Sequence, residues 1–226
     1  APPRRGPPSP SPRGRAGWAA PPHPRPGAPG PRQCRRLGEH WQRRGMRFDA
    51  AFSGTLRRQR QSLAAIGEAL GGLPEPEQLA GLDEYDPEAV VRALYPDPPP
   101  PPPEPEQAWR HHFRLVREGL HAWMAGRTAP AGMPAHADFV AGVAAALERA
   151  RTHEGDVLVV SSGGPIATAV GIVLGLAPAA VVELNMRIRN SAVTELVRTR
   201  GGHALVGFNA IPHLESADGA HWVTYA

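Results

Sequence analysis

The chain has 226 residues, room for one domain with a proper core, and carries 28 prolines, 25 glycines and one cysteine. Its net charge of +4 is uneven: residues 1–36 hold eight arginines (Arg4, Arg5, Arg13, Arg15, Arg25, Arg32, Arg35 and Arg36) and no acid, which leaves 17 arginines facing 21 acidic residues in the remainder. The lone Cys34 excludes an internal disulfide, and no apolar run approaches the roughly 20 residues of a membrane helix. No apolar secretory segment opens the sequence, so a cytoplasmic location and no membrane partner are expected.

Ala1 to Pro31 is Pro, Arg, Gly and Ala with almost no branched apolar residues, and is expected to be disordered. A basic arm can hold nucleic acid electrostatically. This one interleaves only Trp18 as an aromatic and precedes no reading motif, so nucleic acid is not an expected partner. Every basic residue is Arg and none is Lys, as GC-rich coding would give. Residues 1–31 therefore read as a possible frameshift product, a hypothesis that fails if neither other frame encodes an apolar strand followed by Arg-His-Gly.

From Arg32 helix and strand patterns alternate. Leu37 to Arg44 continues a helix closed by Gly45; Arg47 to Ser53 is a strand with Phe48, Ala50 and Phe52 in alternation; Leu56 to Leu70 is a helix ended by Gly71-Gly72. A second strand is expected near Gln78 to Leu82 and a helix over Pro87 to Leu94, before a polyproline spacer at Pro98 to Pro103. Gln107 to Met124 and Ala137 to Thr152 have helical apolar spacing. Val157 to Val160 reads as a strand buried on both faces, Ser162-Gly163-Gly164-Pro165 as a tight turn, and Ile166 to Leu174 as a helix ended by Gly175. Strands over Ala192 to Arg198 and His203 to Phe208 close the pattern.

Three places can do chemistry. The Ser162 turn offers free N–H groups and a helix N-terminus to an anion, although its glycines serve close packing equally well. Arg57, Arg58 and Arg60 cannot all be buried; one could grip a phosphate, or all could form a solvated face. Leu82-Asp83-Glu84-Tyr85-Asp86 supplies carboxylates, one of which could be a general acid in what is otherwise a surface loop.

Taken in chain order these pieces resemble the histidine phosphatases, the superfamily that includes the phosphoglycerate mutases. Ser53, Leu56, Arg58, Gln61 and Ser62 fit its Ser-x-x-Leu-x-Arg-x-x-Gln-Thr motif with Ser for Thr, and Leu82 with Glu84 fits Leu-x-Glu. Ser162-Gly163-Gly164 fits His-Gly-Gly with Ser in place of His, and Asn190 to Thr194 fits Asn-x-x-Val-Thr. The resemblance spans about Arg32 to His213. It implies a three-layer α/β sandwich with a mostly parallel central sheet over residues 32–226, a helical insertion at about 86–134, and no metal or organic cofactor. By the same resemblance Arg58, Ser162 and Gly163 would bind phosphate and Glu84 would be the catalytic proton donor.

The Arg-His-Gly motif of the first strand has no counterpart. Arg4-Arg5-Gly6 follows no apolar strand, His23 lies between prolines, and His111, His112 and His121 belong to a helix. His213 reads as a hydrogen-bonded structural histidine at the site's edge. The expectation is thus a phosphomonoester hydrolase, less readily a mutase, impaired by want of its nucleophile. The alternative is an inactive module that binds a phosphorylated small molecule or phosphoprotein. A missing first strand also implies unpaired strand edges inside the sheet.

Overall fold

A computed structural model describes residues 29–97, 101, 104, 107–215 and 220–225. The expectations for residues 1–28 and for most of the Pro98 to Pro103 run fall outside the described residues. Residues 29–31, expected to be disordered, instead open helix α1 (Pro29–Arg43). Proline suits a first helical turn, where its missing N–H has no intrahelical partner to lose, and Cys34, Leu37 and Trp41 recur on one buried face.

Strand β1 (Ala50–Ser53) is shorter than the alternation suggested, because Phe48 packs edge-on against Trp41 before the strand begins, with ring centres 5.2 Å apart. It leads into α2 (Arg57–Leu70), which ends at Gly71 in the left-handed region (φ 98°). The second strand is corrected: β2 comprises Glu77–Gln78 alone, and Ala80–Leu82 forms a 3-10 turn. Helix α3 (Pro87–Leu94) is capped by Asp86, whose carboxylate accepts the N–H groups of Glu88 (2.8 Å) and Ala89 (3.1 Å).

Helices α4 (Ala108–Met124) and α5 (His136–Arg151) lie where helical spacing placed them. Strand β3 (Val157–Val160) runs into α6 (Gly163–Leu174), so Gly163 to Pro165, expected as a turn, form the first helical turn with Ser162 as N-cap. Sequence reasoning did not assign α7 (Pro178–Asn185), a short Ala- and Val-rich segment without amphipathic spacing. Strands β4 (Val193–Thr199) and β5 (Gly202–Ala210) form an antiparallel hairpin.

The sheet is parallel with order β2-β1-β3, and Phe52 stands opposite Val159 in its register. Alternation along β1 feeds both faces. Ala51 joins Leu158 beneath Leu37, Trp41, Leu63 and Ile66 of α1 and α2, while Ala50 and Phe52 pack with Leu82 and Ala146 on the side of α5. Helices α3, α4 and α7 build a separate apolar cluster around Val90, Leu120, Trp123 and Val182. The expected α/β architecture is therefore present.

One expectation about the core is corrected. Val157 to Val160 is not buried on both faces: Leu158 is buried, but Val159 is 40 % exposed. The cause is pairing, since among the described residues β3 is bonded only to β1 and β4 only to β5.

Candidate active site

The site lies where β1 and β3 end side by side. Asp83 holds the entry to α2, its carboxylate accepting the N–H and hydroxyl of Thr55 and the N–H of Leu56 (3.3 Å). Gln59, fully buried in the first turn of α2, donates from Nε2 to the Leu82 carbonyl (2.7 Å) and to Ser162 Oγ (3.0 Å). Its Oε1 accepts the Leu56 N–H at 3.3 Å. One amide thus joins three segments: the start of α2, the Leu82 turn and the junction of β3 with α6. Sequence reasoning passed over Gln59. Its signal was position, because it shares a helical stripe with Leu63 and Ile66, which face the core.

Ser162 does not cap α6 with its side chain; its hydroxyl is held by Gln59 instead. Both oxygens of Glu84 lie 3.1 Å from the Gly164 nitrogen. The helix N-terminus expected to receive phosphate is therefore occupied by the proposed acid. Glycine is required at 164, since a Cβ there would stand 2.7 Å from the Tyr85 ring and closer still to Glu84 Oε1. The Tyr85 hydroxyl accepts a hydrogen bond from Asn185 Nδ2 (2.6 Å), and burial raises its pKa above the ordinary phenol value.

Burial pushes the Glu84 pKa up to about 7, against the opposing pull of the Gly164 N–H, the Arg58 charge and the N–H groups of Tyr85 and Gly163. A carboxyl so poised holds a proton near neutrality and can release it to a leaving oxygen. Arg58 is exposed and, with Glu84, Ser162 and Gly163, lines a cavity of about 1780 Å³. Of the three neighbouring arginines Arg58 alone lines it; Arg60 borders a smaller cavity of about 310 Å³.

Four histidines, His40, His112, His153 and His203, also line the large cavity, and none of them hydrogen-bonds to Glu84, Arg58 or Ser162. His213 is buried, its Nε2 2.8 Å from Ser191 Oγ, and burial pushes its pKa down to about 4. Asn190 ties down the C-terminal stretch through Thr224 Oγ1 and the Tyr225 carbonyl, each at 2.9 Å. Among the described residues no three His, Cys, Asp or Glu side chains are grouped to hold a metal, and no helix is long and apolar enough to cross a membrane.

Residues 28–211 match the histidine phosphatase superfamily (branch 1). The chain belongs to that superfamily. Its fold is similar to phosphoglycerate mutase from Bacillus anthracis str. Sterne, at 17 % identity over 84 % of this chain and 83 % of that one, with a TM-score of 0.55. A mycobacterial glucosyl-3-phosphoglycerate phosphatase is similar at 20 % identity over 80 % of this chain and 86 % of its own, with a TM-score of 0.55. Phosphoserine phosphatase from Entamoeba histolytica, in complex with 3-phosphoglyceric acid, is similar at 17 % identity over 82 % and 84 %, with a TM-score of 0.56. No curated protein matches the chain. The phosphoglycerate mutase-like fold expected from four ordered motifs is thereby found.

Proposed function

We propose that this chain carries a phosphomonoester hydrolase site whose turnover is impaired because its nucleophilic group is wanting. Glu84 is the proton donor, and Arg58, Ser162 and Gly163 bind the phosphoryl oxygens. The observation that carries this reading is the Glu84 carboxyl, with a pKa near 7, set on the α6 N-terminus within the field of Arg58. In the residual hydrolysis a water oxygen bonds to phosphorus, its proton passing to solvent, as the bond between phosphorus and the ester oxygen breaks and Glu84 gives its proton to that oxygen. Arg58 offsets the charge on the equatorial oxygens, where most phosphoryl-transfer catalysis originates. An incoming phosphoryl group would displace Glu84 from the Gly164 N–H, which frees that amide for an anion.

Binding without turnover is the second reading. It is supported by the four cavity histidines, none of which bonds to Glu84, Arg58 or Ser162. The 3-phosphoglyceric acid in the Entamoeba histolytica structure supports a phosphorylated small molecule as ligand rather than a phosphoprotein. A cytoplasmic location and a frameshift origin for the Pro- and Arg-rich start belong to the same proposal. Translating the other two frames of the coding DNA tests the latter, and the absence of an apolar strand with Arg-His-Gly refutes it.

Assay on p-nitrophenyl phosphate, against a Glu84→Ala control, tests the impairment. The two rates should agree; turnover well above the control overturns it. Titration with inorganic phosphate followed by 31P NMR tests binding, and saturable broadening that disappears in Arg58→Ala is the expected result.

A further inference from the structure

Where the helices α3, α4 and α7 border the candidate active site, their contribution is largely aromatic. His112, Phe113 and Val116 of α4 line the cavity, and so do Tyr85 and Met186, which pack on the apolar cluster that α4 shares with α3 and α7. Two of these rings are held in place. Phe113 stands edge-on to Trp109, one helical turn earlier, with ring centres 6.5 Å apart at 78°, and to His112 at 6.1 Å and 79°. Tyr85 receives the Asn185 amide on its hydroxyl at 2.6 Å and tilts against Trp123 at 6.3 Å. Positive charge is turned away from this wall. Arg92 pairs with Asp86 and Glu88, Arg117 and Arg187 pair with Glu183, and Arg114 bonds to His111. None of these four lines the cavity, whereas the acid Asp86 does. Arg189, which follows α7 and does line it, has a guanidinium N–H bonded to the Asn209 carbonyl.

We infer that the ligand of this site is an aryl phosphomonoester, a substrate class that rests on the phosphatase reading: its ring lies against Phe113 while its phosphoryl group meets Arg58. A ring that leaves water for Phe113, Tyr85, Val116 and Met186 gains apolar burial, and edge-to-face and sulfur contacts add to it. Because Phe113 and Tyr85 are already fixed by their neighbours, little side-chain freedom is lost on binding. A carboxylate on the leaving group, such as 3-phosphoglyceric acid carries, would give up hydration here and meet Asp86 with no arginine of α3, α4 or α7 to receive it. Leaving-group chemistry agrees. A phenol oxygen departs with a pKa of about 10, as in tyrosine, so it needs less help from a nucleophile and from the Glu84 proton than an aliphatic alkoxide does. Phe113 is thus the specificity-determining residue, and it acts on the ester group rather than on the phosphoryl oxygens.

Competition titrations of the full chain, followed by 31P NMR and calorimetry, test this with 1-naphthyl phosphate, 3-phosphoglyceric acid and inorganic phosphate as probes. Expected is binding of 1-naphthyl phosphate roughly 10-fold tighter than either of the others, an advantage that Phe113→Ala abolishes and Phe113→Tyr keeps. Inorganic phosphate should bind these variants as it binds the parent. Phe113→Arg, which puts a cation on the wall, should move the preference toward 3-phosphoglyceric acid. Should Phe113→Ala not fold, the ranking of the three probes on the parent chain decides. Equal or tighter binding of 3-phosphoglyceric acid, an aryl advantage that survives Phe113→Ala, or no binding of 1-naphthyl phosphate overturns the inference. The phosphatase reading fails separately: it falls if no probe responds to Arg58→Ala, and it stands if inorganic phosphate binds through Arg58 while the naphthyl ring brings no advantage.

Discussion

Glu84 faces Gly164 with both carboxylate oxygens at 3.1 Å from the same backbone nitrogen, so the α6 N-terminus is held by the chain's own acid. On the proposed reading, phosphate and Glu84 compete for one amide. Ligand binding and the protonation of Glu84 should be coupled, with phosphate titration at pH 6 and pH 8 giving different proton release by calorimetry in two buffers.

The same carboxyl makes stability depend on pH. Its folded pKa of about 7 lies above the ordinary 4.5, so the folded chain binds more protons than the unfolded one between these values. That stabilisation is complete below pH 4.5 and is lost as pH rises through 7, amounting to about 2 kcal/mol between pH 5 and pH 8. Glu84→Gln, which keeps an acceptor for Gly164, should remove this component. Urea titrations of both proteins at the two pH values read it directly.

His213 works in the opposite sense. Its folded pKa of about 4 lies below the ordinary 6.5, so its contribution is present above pH 6.5 and is lost as pH falls through 4. The two groups offset one another between roughly pH 4.5 and 6.5. His213→Gln should unmask the Glu84 component there, giving a steeper fall in melting temperature from pH 4.5 to 6.5 than the parent shows.

Gln59→Ala should cost about 2 kcal/mol, since it removes the bonds to Leu82 and Ser162 and opens a void in the core. A chemical denaturation midpoint lowered by far less would mean that the three segments are held by other contacts. Gly164→Ala should cost about 1–3 kcal/mol through overpacking against Tyr85 and Glu84, and should return the Glu84 pKa toward its ordinary range as the carboxylate is expelled, measurable by 13C NMR titration.

The grouping of the candidate residues was legible where chemistry and order coincide. Arg58, Glu84, Ser162 and Gly163 were singled out from motifs spread over a hundred residues of sequence, and all four line one cavity. Less was visible where a residue's role depends on its neighbours. Gln59 is an ordinary polar residue until Leu82 and Ser162 are brought to it. The run of three valines and a leucine in β3 has the composition of a doubly covered strand, but burial depends on what lies beside a strand, and composition does not report that. The 3-10 turn at Ala80–Leu82 escaped for a related reason, since two residues of β2 suffice to pair with β1 before the chain turns toward the site.

Cys34 sits on α1 in the wall of the large cavity, 5 % exposed, its thiol pushed up in pKa by burial. As the one sulfhydryl in the sequence, it gives the molecule a built-in clock: a thiol-reactive dye can reach it only as fast as the cavity admits the reagent, so labelling kinetics report how often that interior opens without any engineered probe.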